Sequence, residues 1–245
     1  MTALRFFGTL TVSLTGEPGA VRALAELWAP FVTADGAGPA ADLPRVRADD
    51  QATASAELNR TVVARCPHPA VHSGVVALGG GAVALPATSG AGKSTLVTAL
   101  CRAGAGYLSD EALVLAPDGT ALPYPKPVAL SAESLAALGS APPAGGAAGG
   151  EHLLPAAAVG RVVGDPRPVR HVVLARRDPG AGEVTLDAVS RRDGLAALLT
   201  LGFNHHRDPA RFLRSAAAAV TGATVWRLRY ADVRRAAAIM TDVLS

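Results

Sequence analysis

The sequence predicts an α/β fold with a mixed sheet and antiparallel hairpins. Three observations point there. Strand-like and helix-like segments interleave along the chain. Strand pairs at 70–86 and 169–189 are each joined by a glycine- or proline-containing turn. Between 82 and 103 a short strand, a glycine-rich loop and a helix follow one another.

Taken in order, residues 3–14 alternate and read as a strand, and 18–31 have helical spacing. Residues 34–50, rich in Ala, Gly, Pro and Asp, read as a loop. A helix is expected over 53–65, carrying Asn59 and Arg60, until Cys66-Pro67 and His68-Pro69 break the chain. Residues 70–78 and 82–86 form a hairpin about Gly79-Gly80-Gly81. A helix from Ser94 to Ala103 stops at Gly104. A strand over 107–115 ends at the turn Pro117-Asp118-Gly119. Residues 131–139 read as helix and 140–150 as a low-complexity linker or loop. Strands at 169–176 and 183–189 flank Asp178-Pro179-Gly180. Helices at 191–203 and 208–220 follow, then a strand at 224–230 and a helix at 232–243. Residues 1–66 are expected to form an α/β region packed on a main domain of 67–245.

The chain has 245 residues, 49% hydrophobic and 18% charged, which suits a globular protein. No apolar run approaches the roughly 20 residues of a membrane span. The start, MTALRFFGTLTVSLTG, lacks the pattern of a signal peptide. Cys66 and Cys101 have no metal-site spacing. A cytoplasmic protein is expected, with no membrane partner. The net charge is +3, but no basic run exceeds a pair, so no nucleic-acid partner is expected. Of 23 basic residues only Lys93 and Lys126 are lysines. In so arginine-rich a chain, a retained lysine suggests a position that needs a compact ammonium.

Lys93 lies in ATSGAGKST, 87–95, which fits [A/G]-x-x-x-x-G-K-[S/T] with Ala87 at the first position. Gly90 and Gly92 allow successive N–H groups to turn inward around phosphate oxygens. The following helix aims its positive end at the same anion. Ser89, Gly90, Ala91, Gly92, Lys93, Ser94 and Thr95 are thus expected to bind ATP, with Lys93 on the outer phosphates and Ser94 on Mg2+. Ser109-Asp110-Glu111 follows at the expected start of the next strand, with Asp110 seventeen residues after Lys93. Two carboxylates beside a triphosphate have two natural tasks, accepting a hydroxyl proton and holding the metal. Lys126, between Pro125 and Pro127, is held extended and suits charge stabilisation on a moving phosphoryl group. Asn204, His205 and His206 offer either a helix cap or a ligand contact.

The layout resembles the catalytic domain of the HPr kinase/phosphorylase family, whose P-loop fold is related to that of phosphoenolpyruvate carboxykinases. The resemblance rests on His72 in AVHSGVVAL, ATSGAGKST, Gly104 and Ser109-Asp110-Glu111, and it covers residues 70–115. It implies that Asp110 is the base for a serine hydroxyl and that Glu111 helps hold Mg2+. It also implies that His72 lies close to the transferred phosphate; family members are often oligomeric, which leaves a homo-oligomer open for this chain. The family's E-x-R-G-x-G stretch has no counterpart, and YPKPVALS, 124–131, stands there instead. The resemblance therefore extends neither to the reverse phosphorolysis nor to HPr as acceptor. It points to diverged members that phosphorylate precursor peptides in natural-product biosynthesis. The expected activity is ATP-dependent transfer to a serine of a peptide or protein, with Asp110, Lys93, Lys126 and His72 at the reacting centre and Ser94, Glu111 and Asp110 at the metal. A nucleotide-binding regulatory or peptide-chaperone module and a small-molecule kinase are the alternatives.

Overall fold

The computed structural model describes residues 2–33, 43–143 and 150–245. The expected loop over 34–50 and linker over 140–150 therefore lie partly outside the described residues.

The first segment is a hairpin rather than one strand. Strands β1 (Thr2–Phe6) and β2 (Leu10–Thr15) pair antiparallel, and β3 (Arg45–Arg47) adds parallel to β2. The chain reverses at Phe7 and Gly8, whose φ angles are 52° and 74°. Alternation continues through both arms of a hairpin, so periodicity hides the turn. Helix α1 (Pro18–Leu27) begins with Pro18 at a position where the missing N–H costs nothing, and the Glu17 carboxylate caps Gly19 and Ala20. It stops short of the expected Phe31 because Pro30 cannot continue it, and Ala29–Phe31 forms a 3-10 turn. Helix α2 (Gln51–Arg65) begins two residues before the expected start, with Asp50 accepting from the Thr53 N–H at 2.7 Å.

The main sheet has eight strands. Strands β4 (Ala70–Leu78) and β5 (Gly81–Pro86) form the predicted hairpin through Gly79 and Gly80, at φ 55° and 77°. On the far side of β4 run β6 (Gly106–Ser109) and β7 (Ala112–Leu115), where a single strand over 107–115 was expected. The two lie end to end along β4, linked by the Ser73 N–H donating to the Glu111 carbonyl. Asp110 and Glu111 thus sit in the middle of an interrupted strand, not at its start. Leu108 is an extra residue: Val75 faces Ser109, whereas Val76 faces Tyr107. The short β8 (Ala121–Leu122) closes that edge. Strands β9 (Val128–Ser131) and β10 (Glu151–Leu154) make a separate two-stranded sheet that the sequence pattern did not reveal. Strand β11 (Val169–Arg177) runs parallel to β5. The strands flanking Asp178-Pro179-Gly180 are not neighbours, because β13 (Thr224–Tyr230) lies between β11 and β12 (Thr185–Val189).

Helices α3 (Lys93–Arg102) and α8 (Val233–Leu244) share one core with Leu85, Tyr107 and Val173. Helices α6 (Arg191–Thr200) and α7 (Pro209–Thr221) cover the other face over Val75, Leu108 and Val172. Adjacent Val172 and Val173 point into opposite cores, as the pleat requires. The remaining helices, α4 (Ala132–Ala137) and α5 (Ala156–Val159), are short. A third core joins the N-terminal region to the main sheet: Leu4, Phe6, Trp28, Phe31 and Leu58 pack with Ala70, Val114 and Tyr124. The Tyr124 ring lies 5.7 Å from that of Phe31 and 6.4 Å from that of Trp28. Among the described residues, no helix is long and apolar enough to cross a membrane.

The register fixes where chemistry can converge. Strands β5, β6, β11 and β13 run in one direction, so their carboxyl ends share an edge with the start of β4. That edge is where α/β sheets bind ligands. Ser73 pairs with Pro86 on one side and faces Glu111 on the other. Asp110 and Glu111 are therefore level with the start of the glycine-rich loop, two strands away.

Candidate functional site

Residues 87–92 leave the carboxyl end of β5 and turn directly into α3. Gly90 and Gly92 adopt φ of 78° and 84°, and Gly92 is the residue before the first turn of α3. A side chain at Gly90 would meet nothing within 4 Å, so its glycine answers to backbone conformation alone. The Lys93 ammonium folds back over the loop and donates to the Thr88 carbonyl at 2.9 Å.

The loop opens into a cleft of about 860 Å3, within the size range of small-molecule sites. Of the residues singled out from the sequence, His72, Ser89, Gly90, Gly92, Lys93, Ser94, Thr95, Asp110, Glu111 and Lys126 all line it. Ala91 does not. The Thr95 hydroxyl is turned to Ser134 at 2.9 Å, tying α3 to α4.

A hydrogen-bonded chain crosses the cleft floor. The Ser94 hydroxyl donates to Asp110 Oδ2 at 2.7 Å. Asp110 Oδ1 faces the Lys126 ammonium and the Tyr107 hydroxyl, each at 2.9 Å. Lys126 also donates to the Pro127 carbonyl at 2.9 Å, and Tyr107 reaches the Lys126 carbonyl at 2.8 Å. A phenol has one proton, so Tyr107 shares it between two oxygens. Burial, then the Asp110 charge, drives the Tyr107 pKa well above its usual value, so the hydroxyl stays protonated. The ion pair is nearly sealed from water, with side chains 9% and 3% exposed. Lys126 is thus a buried partner of Asp110 rather than an exposed loop residue.

Glu111 points toward the N-terminal region. Burial raises its pKa; the Lys126 charge opposes this, Asp110 adds to it, and Lys93 and a hydrogen bond from Asn59 oppose it. Asn59 is fixed in turn by the Tyr124 hydroxyl, which donates to its Oδ1 at 2.8 Å. Burial lowers the Lys93 pKa, against the pull of Glu111 and Asp110. His72 is pushed down to about 4, first by burial and then by Lys93, so it is neutral at ordinary pH.

Asn204 is a clamp and not a ligand contact. It is buried, its oxygen accepts the Ala70 N–H at 3.0 Å, and its amide donates to the His68 carbonyl at 2.8 Å. This ties the segment after α6 to the start of β4 and sets Phe203 against the His72 ring, 5.1 Å between centroids. His205 and His206 are exposed. The opposite wall holds Arg177, Asp232 and Arg234, none of which the sequence singled out, together with Tyr230, a buried residue of the last strand. Their signal was positional: each lies at or just beyond the end of a parallel strand. Tyr107 gave no signal, because it meets Asp110 only through the Leu108 bulge.

Among the described residues, no group of three or more His, Cys, Asp or Glu side chains is placed to hold a metal. Ser94, Asp110 and Glu111 all line the cleft and carry hard oxygen atoms. Oxygens of this kind suit Mg2+, which takes few protein ligands and keeps water and phosphate for the rest. No family model, curated protein or solved structure matches the chain.

Proposed function

We propose that the protein is an ATP-dependent kinase built on a P-loop fold of the HPr kinase/phosphoenolpyruvate carboxykinase type. It transfers the γ-phosphoryl group to a hydroxyl, most readily a serine of a peptide or protein. The observation that carries this reading is the Ser94–Asp110–Lys126 chain at the mouth of the glycine-rich loop.

The loop N–H groups, the start of α3 and Lys93 hold the phosphates. Ser94 and Glu111, with Asp110 beside them, are the residues that would hold Mg2+, which when bound neutralises phosphate charge. Asp110 takes the proton of the acceptor hydroxyl as its oxygen bonds to phosphorus and the bond to the ADP leaving group breaks. Lys126, already paired with that carboxylate, adds positive charge beside the moving phosphoryl group. Two of its three N–H groups are engaged by Asp110 and Pro127. His72, neutral, donates a hydrogen bond to phosphoryl oxygen without adding charge beside Lys93. Asp110→Asn is expected to keep ATP affinity and to lose transfer. Transfer at the wild-type rate in that variant rejects Asp110 as base.

One observation favours a nucleotide-binding regulatory module without transfer: both Asp110 oxygens are already hydrogen-bonded. Such a module binds ATP, never yields a phosphorylated acceptor, and keeps its role in Asp110→Asn.

A further inference from the structure

A second cavity, of about 180 Å3, lies at the opposite end of the sheet, beneath the β4–β5 turn. It is lined by Ala77, Leu78, Gly79, Gly80 and Gly104, and by two arginines, Arg161 and Arg167. Leu78 lies six positions beyond His72 along β4, so this cavity lies about 20 Å from the cleft at the glycine-rich loop.

Backbone pairing fixes both arginines. The Tyr107 N–H donates to the Arg161 carbonyl at 2.8 Å, and Ala121 and Arg167 exchange N–H···O bonds of 2.8 and 3.0 Å. At Gly106 a Cβ would stand 2.4 Å from Val163 Cγ2 and 3.0 Å from an Arg161 terminal nitrogen, so this guanidinium lies close against the β6 backbone. Among the described residues, neither guanidinium has an ion pair or hydrogen bond, and Arg167 Nε is buried without any partner. A buried N–H left unpaired, such as Arg167 Nε, is costly. An oxyanion in the cavity removes that cost, because a guanidinium fork donates two parallel N–H bonds to a phosphate group.

We propose that this cavity is a second anion site, binding the phosphate group of a small ligand, either free phosphate or a phosphate monoester. It is independent of the glycine-rich loop and of the kinase reading.

The test is a titration of the full chain with inorganic phosphate and, separately, with phosphoserine, followed by amide NMR. Gly79, Gly80 and Gly104 report on this cavity, and Gly90 and Gly92 report on the loop. The expected result is a saturable shift of the first three that equal ionic strength of chloride does not reproduce. Tighter binding of phosphoserine identifies a monoester as the ligand, and tighter binding of phosphate identifies the free ion. Arg161→Gln, at an exposed residue, weakens the affinity read from those shifts about tenfold and leaves the shifts of Gly90 and Gly92 intact. Arg167→Lys, which keeps the charge and loses the fork, weakens them likewise. Shifts that never saturate, or that persist unchanged in both variants, overturn the site.

Discussion

Replacing Lys126 by Met removes the cation from a carboxylate that water barely reaches. The ammonium lies 2.9 Å from Asp110 Oδ1, and the two side chains are almost fully buried. Breaking a buried ion pair from one side costs about 3–5 kcal/mol, since the remaining charge is stranded. Ser94 and Tyr107 still donate to Asp110, which sets the expected loss near the lower end, about 3 kcal/mol. In a chain of this length that lowers the melting temperature by roughly 6–12 °C. Thermal unfolding followed by circular dichroism reads the change directly. The double variant Asp110→Asn/Lys126→Met strands no charge and is expected to recover about half of the loss. An unchanged melting temperature in Lys126→Met refutes the buried pair. A double variant no more stable than Lys126→Met alone shows that the loss has another cause.

Gly92→Ala places a Cβ at φ 84°, with the nearest atom, the Tyr230 hydroxyl oxygen, 3.7 Å away. The cost is therefore conformational, about 1–2 kcal/mol, and calorimetry is expected to find ATP binding lost in a folded protein. His72 has a folded pKa of about 4 against an ordinary 6.5, so the unfolded chain binds its proton more readily. Stability should fall as pH drops from 6.5 toward 4, and His72→Gln should show a shallower fall in melting temperature over that window. Asn59→Ala removes a hydrogen bond that holds the Glu111 pKa down, so the acid limb of kcat/KM should move to higher pH. Asn204→Ala leaves the buried Ala70 N–H without a partner and should cost about 2–3 kcal/mol in denaturant unfolding, with ATP affinity little changed.

The glycine-rich loop was legible in the sequence because its chemistry is local: spacing alone aligns Gly90, Gly92, Lys93 and Ser94 between a strand and a helix. Lys126 was legible by another route, as one of two lysines left among 23 basic residues. Its partner was not legible, since the Lys126–Asp110 contact depends on how the segment after β8 returns across β6. Tyr107 and Asp110 stand three apart, a spacing that opposes them in a regular strand, and only the Leu108 bulge brings them together. The alternation over 3–14 could not reveal a turn that keeps its phase. The pair of strands around Asp178-Pro179-Gly180 was read correctly as strands, but β13 enters between them from beyond two intervening helices, which no local pattern encodes. Asn59 on α2 has the same character, since it reaches Glu111 only once the N-terminal core has packed on the main sheet.

The most direct test of the kinase reading is intact-mass spectrometry of acceptors incubated with the protein, ATP and Mg2+. The acceptors are HPr, short peptides encoded beside the gene, and free serine. The expected result is one added phosphoryl group on a peptide or protein acceptor, abolished by Lys93→Ala and by Asp110→Asn. Phosphorylation of free serine alone would redirect the reading to a small-molecule kinase. No gain on any acceptor, with ATP binding demonstrated separately, would contradict phosphoryl transfer and leave a nucleotide-binding module.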